Sequence, residues 1–132
     1  MEIRLGDSSS FHCFQHFEGD AVIVTGNRFT ASLVITPDEI FPDWPPKEAN
    51  RLTVNDLDVI LELKPELAII GTGGQQYFPD PQLFARFMRA GVGIDFMNTR
   101  AACRTFNILA AEGRFIVAGI ILDDAATKEP EI

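Results

Sequence analysis

Apolar positions along this chain change rhythm near its middle. In the first half they follow the short period of strands. Ala21–Thr25 and Arg28–Ile35 are rich in β-branched residues and are separated by Gly26-Asn27, a pair suited to a two-residue hairpin. Phe29, Ala31, Leu33 and Ile35 alternate, which predicts one buried face on that second strand. Phe11–Phe17 reads as a further strand of the same sheet, with His12, Phe14 and His16 on one face. Three prolines in Phe41-Pro42-Asp43-Trp44-Pro45-Pro46 then forbid regular structure, and Trp44 is expected to act as a lid over the core or an interface anchor.

After the prolines the period lengthens. Thr53 with Asp56 resembles a capping box, and Val54, Leu57, Ile60 and Leu61 form a helical stripe that stops before Pro65. Leu67–Ile70 predicts a buried strand that runs into the loop Gly71-Thr72-Gly73-Gly74. Asp80-Pro81 starts a second helix, with Leu83, Phe84, Phe87 and Met88 inward and Gly91 as its stop. Val92–Met97 is the next strand, Thr99–Glu112 a third helix closed by Gly113, and Phe115–Leu122 the last strand. The succession predicts an α/β fold: a short parallel βαβαβ core extended by an N-terminal antiparallel hairpin. At 132 residues the chain has the length of one domain, with an ordered core expected over about 11–122 and loose ends.

Composition narrows the function classes. A net charge of −8 argues against nucleic acid and against an anionic membrane surface. The charge is uneven, however. Acids predominate up to Glu66, whereas from Leu67 to Leu122 Arg86, Arg89, Arg100, Arg104 and Arg114 outnumber Asp80, Asp95 and Glu112. That back half suits a small anion or an acidic protein surface, or is simply a solvated face. Two cysteines, Cys13 and Cys103, are too few for a disulfide framework and form no CxxC pair. No apolar run approaches the ~20 residues that cross a bilayer, so no membrane insertion is expected. With no leader pattern at the N-terminus, the expected location is cytoplasmic.

Specific polar groups concentrate in Asn98-Thr99-Arg100-Ala101-Ala102-Cys103-Arg104-Thr105-Phe106-Asn107. In a parallel sheet, ligands bind beyond the carboxyl ends of the strands, where loops and helix starts converge. The candidate site therefore joins Gly71, Thr72, Gly73 and Gln75 to Asn98, Thr99, Arg100, Cys103, Arg104 and Asn107. Arg100, Arg104 and Asn107 fall on one helical stripe near a helix N-terminus, where amides and dipole favour an anion. Pairing of the arginines with Glu112 or Asp95 is the structural alternative. The glycine loop lacks GxGxxG and a following Lys-Ser/Thr, so a tight packing turn competes with a phosphate cradle. Cys103 has arginines that would lower its pKa but no histidine nearby in sequence, and a lone cysteine between alanines suits the core. His12 and His16 would suit a metal only on a helix, against the strand pattern there. No metal, no cofactor and no complete catalytic set is expected.

Ile70-Gly71-Thr72-Gly73, Met97-Asn98-Thr99, Ala102 through Leu109 and Glu112-Gly113-Arg114 together resemble a family of small uncharacterised domains. It includes the mitochondrial complex I assembly factor 3, the adipogenesis-associated Mth-type domain protein and many bacterial stand-alone members. The likeness runs from about Val22 to Leu122. It implies a three-layer β/β/α fold with a short parallel sheet, no established enzymatic activity, and a bacterial cytoplasmic member here. For eukaryotic relatives it implies work in assembling respiratory complex I, hence a subunit or assembly factor of that complex as partner. Asn98 stands where many relatives have aspartate, which removes a carboxylate from any acid/base scheme.

Overall fold

The structure, a computed structural model, describes residues 11–123. The loose lead-in over 1–10 and the acidic tail beyond Asp123 lie outside the described residues. Among the described residues, eight strands and three α-helices follow in the order β1 (Phe14–Glu18), β2 (Ala21–Val24), β3 (Asn27–Phe29), β4 (Leu33–Ile35), β5 (Ile40–Phe41), α1 (Val54–Leu61), β6 (Leu67–Gly71), α2 (Ala85–Ala90), β7 (Gly93–Met97), α3 (Thr99–Ala111) and β8 (Ile116–Ile120). Strands β1-β2-β3 form an antiparallel sheet. The second sheet has the order β5-β4-β8-β6-β7, with β6 parallel to both β7 and β8 and β4 antiparallel to β8.

The five-stranded sheet is the middle layer. Leu33, Ile35, Ile69, Ile116, Ala118 and Ile120 face a core shared with Phe14, Val22 and Val24 and with Ala102, Cys103, Phe106 and Ala110 of α3. Val34, Ala68, Ile70, Val117 and Ile121 face the opposite core with Trp44, Leu57, Ile60 and Phe87. The strict alternation along β4, β6 and β8 is the period-2 geometry of strands covered on both faces. The three layers and the βαβαβ core match the expectation.

The first half departs from it locally. The hairpin turn is Thr25-Gly26, not Gly26-Asn27; both central residues have positive φ (47° and 82°), and Asn27 already pairs with Val24. Such a turn needs two left-handed residues. Thr25 is held in one by its hydroxyl, which accepts from the Cys13 amide at 3.0 Å, and by its own amide, which donates to the Cys13 carbonyl at 3.0 Å. The run Arg28–Ile35 is split between the two sheets, so Ala31 is exposed whereas Leu33, Val34 and Ile35 are all buried. A register shift between Phe14 and His16 breaks the alternation of β1. Phe14 and Phe17 therefore both turn toward the core, while His16 is exposed.

Trp44 lies in the core, 5% exposed, and its indole N–H donates to the Asp56 carbonyl at 3.1 Å. Gly119 makes room for it: a Cβ there would stand 2.7 Å from the indole ring. Thr53 and Asp56 form the predicted capping box, although Val54 is exposed. The second helix opens as a 3-10 turn over Pro81–Phe84, capped by Asp80, and Gly91 closes it at φ 72°. Phe87 is buried there as expected, but Met88 is not.

Candidate functional site

The carboxyl ends of β6, β7 and β8 converge as the parallel sheet requires. The Thr72 amide donates to the Met97 carbonyl at 2.8 Å, and the Thr99 amide to the Gly73 carbonyl at 2.8 Å. The glycine loop and the start of α3 thus meet, but protein groups fill the space between them. Thr99 is fully buried; its hydroxyl accepts from the Gly73 amide at 2.8 Å and donates to the Ile121 carbonyl at 2.7 Å. The Thr72 hydroxyl is turned inward onto the Gln75 carbonyl at 2.6 Å. A Cβ at Gly71 would press on Thr99 and Ala102, so the glycine serves the close helix–strand approach. Asn98 caps α3 by accepting from the Ala101 amide at 2.9 Å. Asp123, expected only as the start of a frayed tail, accepts from the Gly74 amide at 3.1 Å. The amides of Gly73, Gly74, Thr99 and Ala101 therefore all donate within the fold. The cleft outside this junction carries Glu48 and Asp123 beside Gln75, Gln76 and Tyr77, which is the wrong sign for an anion.

The remaining polar residues of the block face another way. Asn107 grips β1: its carboxamide oxygen accepts from the Phe14 amide at 2.8 Å and its Nδ2 donates to the Phe14 carbonyl at 2.7 Å. A side chain here substitutes for a neighbouring strand at the sheet edge. The Phe14 ring meets Phe106 edge-on, centroids 5.7 Å apart. Arg100 lays its guanidinium over the Phe17 ring, 4.1 Å from the centroid. Arg104, one turn on, is exposed and makes no ion pair with Glu112, Asp95 or any other described residue. Between β1 and α3 these residues bound an open groove of about 280 Å³, with Gln15 and His16 on the strand side. Thr105 donates to the Met97 sulfur at 3.4 Å and belongs to the helix's other flank.

Cys103 is 4% exposed and packs with Phe106 and Ala102. Burial pushes its thiol far above the usual range, and the nearby charges of Arg100 and Arg104 only partly oppose this. The expected lowering by the arginines is thus overturned by desolvation. The histidines do not converge on it: His12 Nδ1 contacts the Thr25 hydroxyl at 3.1 Å, and His16 Nε2 contacts Glu18 at 2.8 Å.

Residues 14–121 match the family model described as protein of unknown function (DUF498/DUF598). The chain belongs to this family. The NADH dehydrogenase [ubiquinone] 1 alpha subcomplex assembly factor 3 of Xenopus tropicalis is 25% identical over 126 residues, covering 94% of this chain and 68% of that protein. A 13 kDa major membrane protein of Francisella tularensis is 40% identical over 65 residues, covering 49% of this chain and 53% of its own length. The chain thus spans about half to two thirds of the relatives it matches. Among solved structures, a Bordetella parapertussis protein superposes with a TM-score of 0.81 at 30% identity, over 86% of this chain and 98% of that one.

Proposed function

We propose that this family member is a non-catalytic interaction protein of assembly type, linked to the building of respiratory complex I. The observation that carries the reading is the use made of the polar block. Thr99 and Asn98 hold the junction of loop and helix, Asn107 holds β1, and Cys103 is sealed in the core. Groups that resemble a reaction centre in the sequence are committed to the fold, and the exposed remainder is a surface. The name of the Xenopus relative, aligned over 94% of this chain, supports the same direction.

Of the alternatives, an anion at Gly71–Gly74 and the Thr99 helix start would meet amides already engaged and carboxylates at the cleft. A thiol enzyme at Cys103 would need a buried thiol to ionise. The proposed setting is the cytoplasm, where an assembly protein meets a subunit before its insertion. Among the described residues no helix is long and apolar enough to cross a membrane.

Deletion in the native cell, followed by native-gel measurement of assembled NADH dehydrogenase, tests the reading. Partial assemblies should accumulate and full-length chain should restore the complex. A normal level of complex in the deletion strain overturns it.

A further inference from the structure

We infer that the groove beside β5 takes an extended basic segment of a partner protein, with an apolar side chain against Phe41 and Val59 and a lysine or arginine on Asp43. This rests on the interaction reading and gives it a place and a chemistry. The groove holds about 300 Å³, room for one or two side chains, and Val34, Trp44 and Leu63 also line it. Phe41 and Val59 are left 38% and 47% exposed. A lone exposed apolar residue is ordinary, but two on one groove, with Pro42 and Pro45 beside them, make a patch. The prolines stiffen that wall, so little freedom is lost when it is covered.

Charge selects the occupant. Asp43 is the sole charged residue lining the groove among the described residues, and no ion pair among them takes its carboxylate. Its φ is 64°, in the left-handed region where glycine sits without strain and aspartate or asparagine is tolerated. Glycine would suit that backbone; the chain carries a carboxylate there instead. The charged neighbours in sequence are Asp38 and Glu39 before β5 and Glu62 beside Leu63, with Lys64 as the single base opposing them. The local sign agrees with the net charge of −8 and selects basic partners.

An extended segment follows from the sheet. β5 is the outer strand on this side, with no described strand beyond it. The Thr36 amide donates to the Glu39 carbonyl at 2.8 Å, so the alternation of an antiparallel pair turns the Ile40 amide and carbonyl outward. A partner strand can bond there and lay alternate side chains on the groove.

Fluorescence anisotropy with a labelled peptide of repeated Ser-Phe-Ser-Lys, which sets Phe and Lys on one face of an extended chain, tests the inference. The wild-type chain should bind it about fivefold more tightly than a Gln-for-Lys peptide, and added salt should erase the difference. An Ala-for-Phe peptide should bind about tenfold more weakly. Asp43→Asn, which keeps a residue tolerant of that φ, should abolish the preference for lysine. Val59→Lys, an exposed change on α1, should weaken binding of the lysine peptide with thermal unfolding unaltered. Arg89→Glu, exposed on α2, should leave the preference intact. Equal affinity for the lysine and glutamine peptides overturns the inference, as does a preference that survives at Asp43→Asn. Self-association that Val59→Lys dissolves, without a peptide preference, also overturns it and makes the groove a contact between copies. If Val59→Lys restores complex I assembly in the deletion strain, the groove assignment fails while the assembly function stands. A lysine preference together with a normal level of complex in the deletion strain sinks the assembly reading alone.

Discussion

The Thr99 hydroxyl joins three separate pieces of chain: the loop after β6, the first turn of α3 and the end of β8. It is both donor and acceptor in a fully buried place, so an isostere without the hydroxyl strands two backbone groups. Each stranded group costs roughly 1–3 kcal/mol. Thr99→Val should therefore destabilise the protein by about 3 kcal/mol, read from urea unfolding with the slope unchanged. Cys103 is the second test at this scale. Its thiol is held protonated by burial, so alkylation at neutral pH should modify the partly exposed Cys13 first and reach Cys103 only on unfolding. Fast native labelling of Cys103 would refute that description. The sequence singles these residues out as a candidate site, and in the structure their contacts are with the fold itself. Thr99 and Asn107 find partners 22 to 93 residues away, and no local spacing reveals such pairs.

Among the elements, those built from local signals are the legible ones. The capping box of α1, the Asp80-Pro81 start, the glycine stops and the parallel strands all follow from neighbours in sequence. The N-terminal sheet is harder, because Arg28–Ile35 alternates like one strand yet serves two sheets. The bulge in β1 is equally silent in sequence. Its consequence is large, since it turns Phe17 beneath Arg100 and so creates the groove's second wall. The sequence places the candidate site on one side of α3, against the glycine loop; the exposed arginine lies on the side facing β1. Asn107 fastens that strand. Asn107→Leu should cost about 1–3 kcal/mol and speed amide exchange in β1 before the rest of the fold opens. Uniform exchange across both sheets would show instead that the strand is not held separately. Between sheet and helix layer, Gly119→Ala should cost about 1–3 kcal/mol by overpacking against Trp44 and Ile60, seen as a lowered Tm.

At the scale of the whole molecule, two cores on opposite faces of one sheet leave little of the polar block available for chemistry. One carboxylate ties the sheet's lower end. Glu66 accepts from the Phe115 amide and from Arg114, both at 3.2 Å, and the amide bond first, then Arg114, lowers its pKa below the ordinary 4.5. A lowered folded-state pKa gives stability that is fully present above about pH 4.5 and fades as the pH falls through the lower folded value. The wild-type advantage in Tm over Glu66→Gln should thus be visible at pH 7 and shrink toward pH 3. An advantage that grows on acidification would contradict this sign.

The central claim is that the chain works by contact, through the surface left after the fold has used its polar groups. Complementation of the deletion strain measures it most directly, with assembled NADH dehydrogenase on native gels as the readout. Cys103→Ala should restore the complex and Val59→Lys should not. Failure of Cys103→Ala to complement while accumulating as folded protein, together with full complementation by Val59→Lys, would contradict the account.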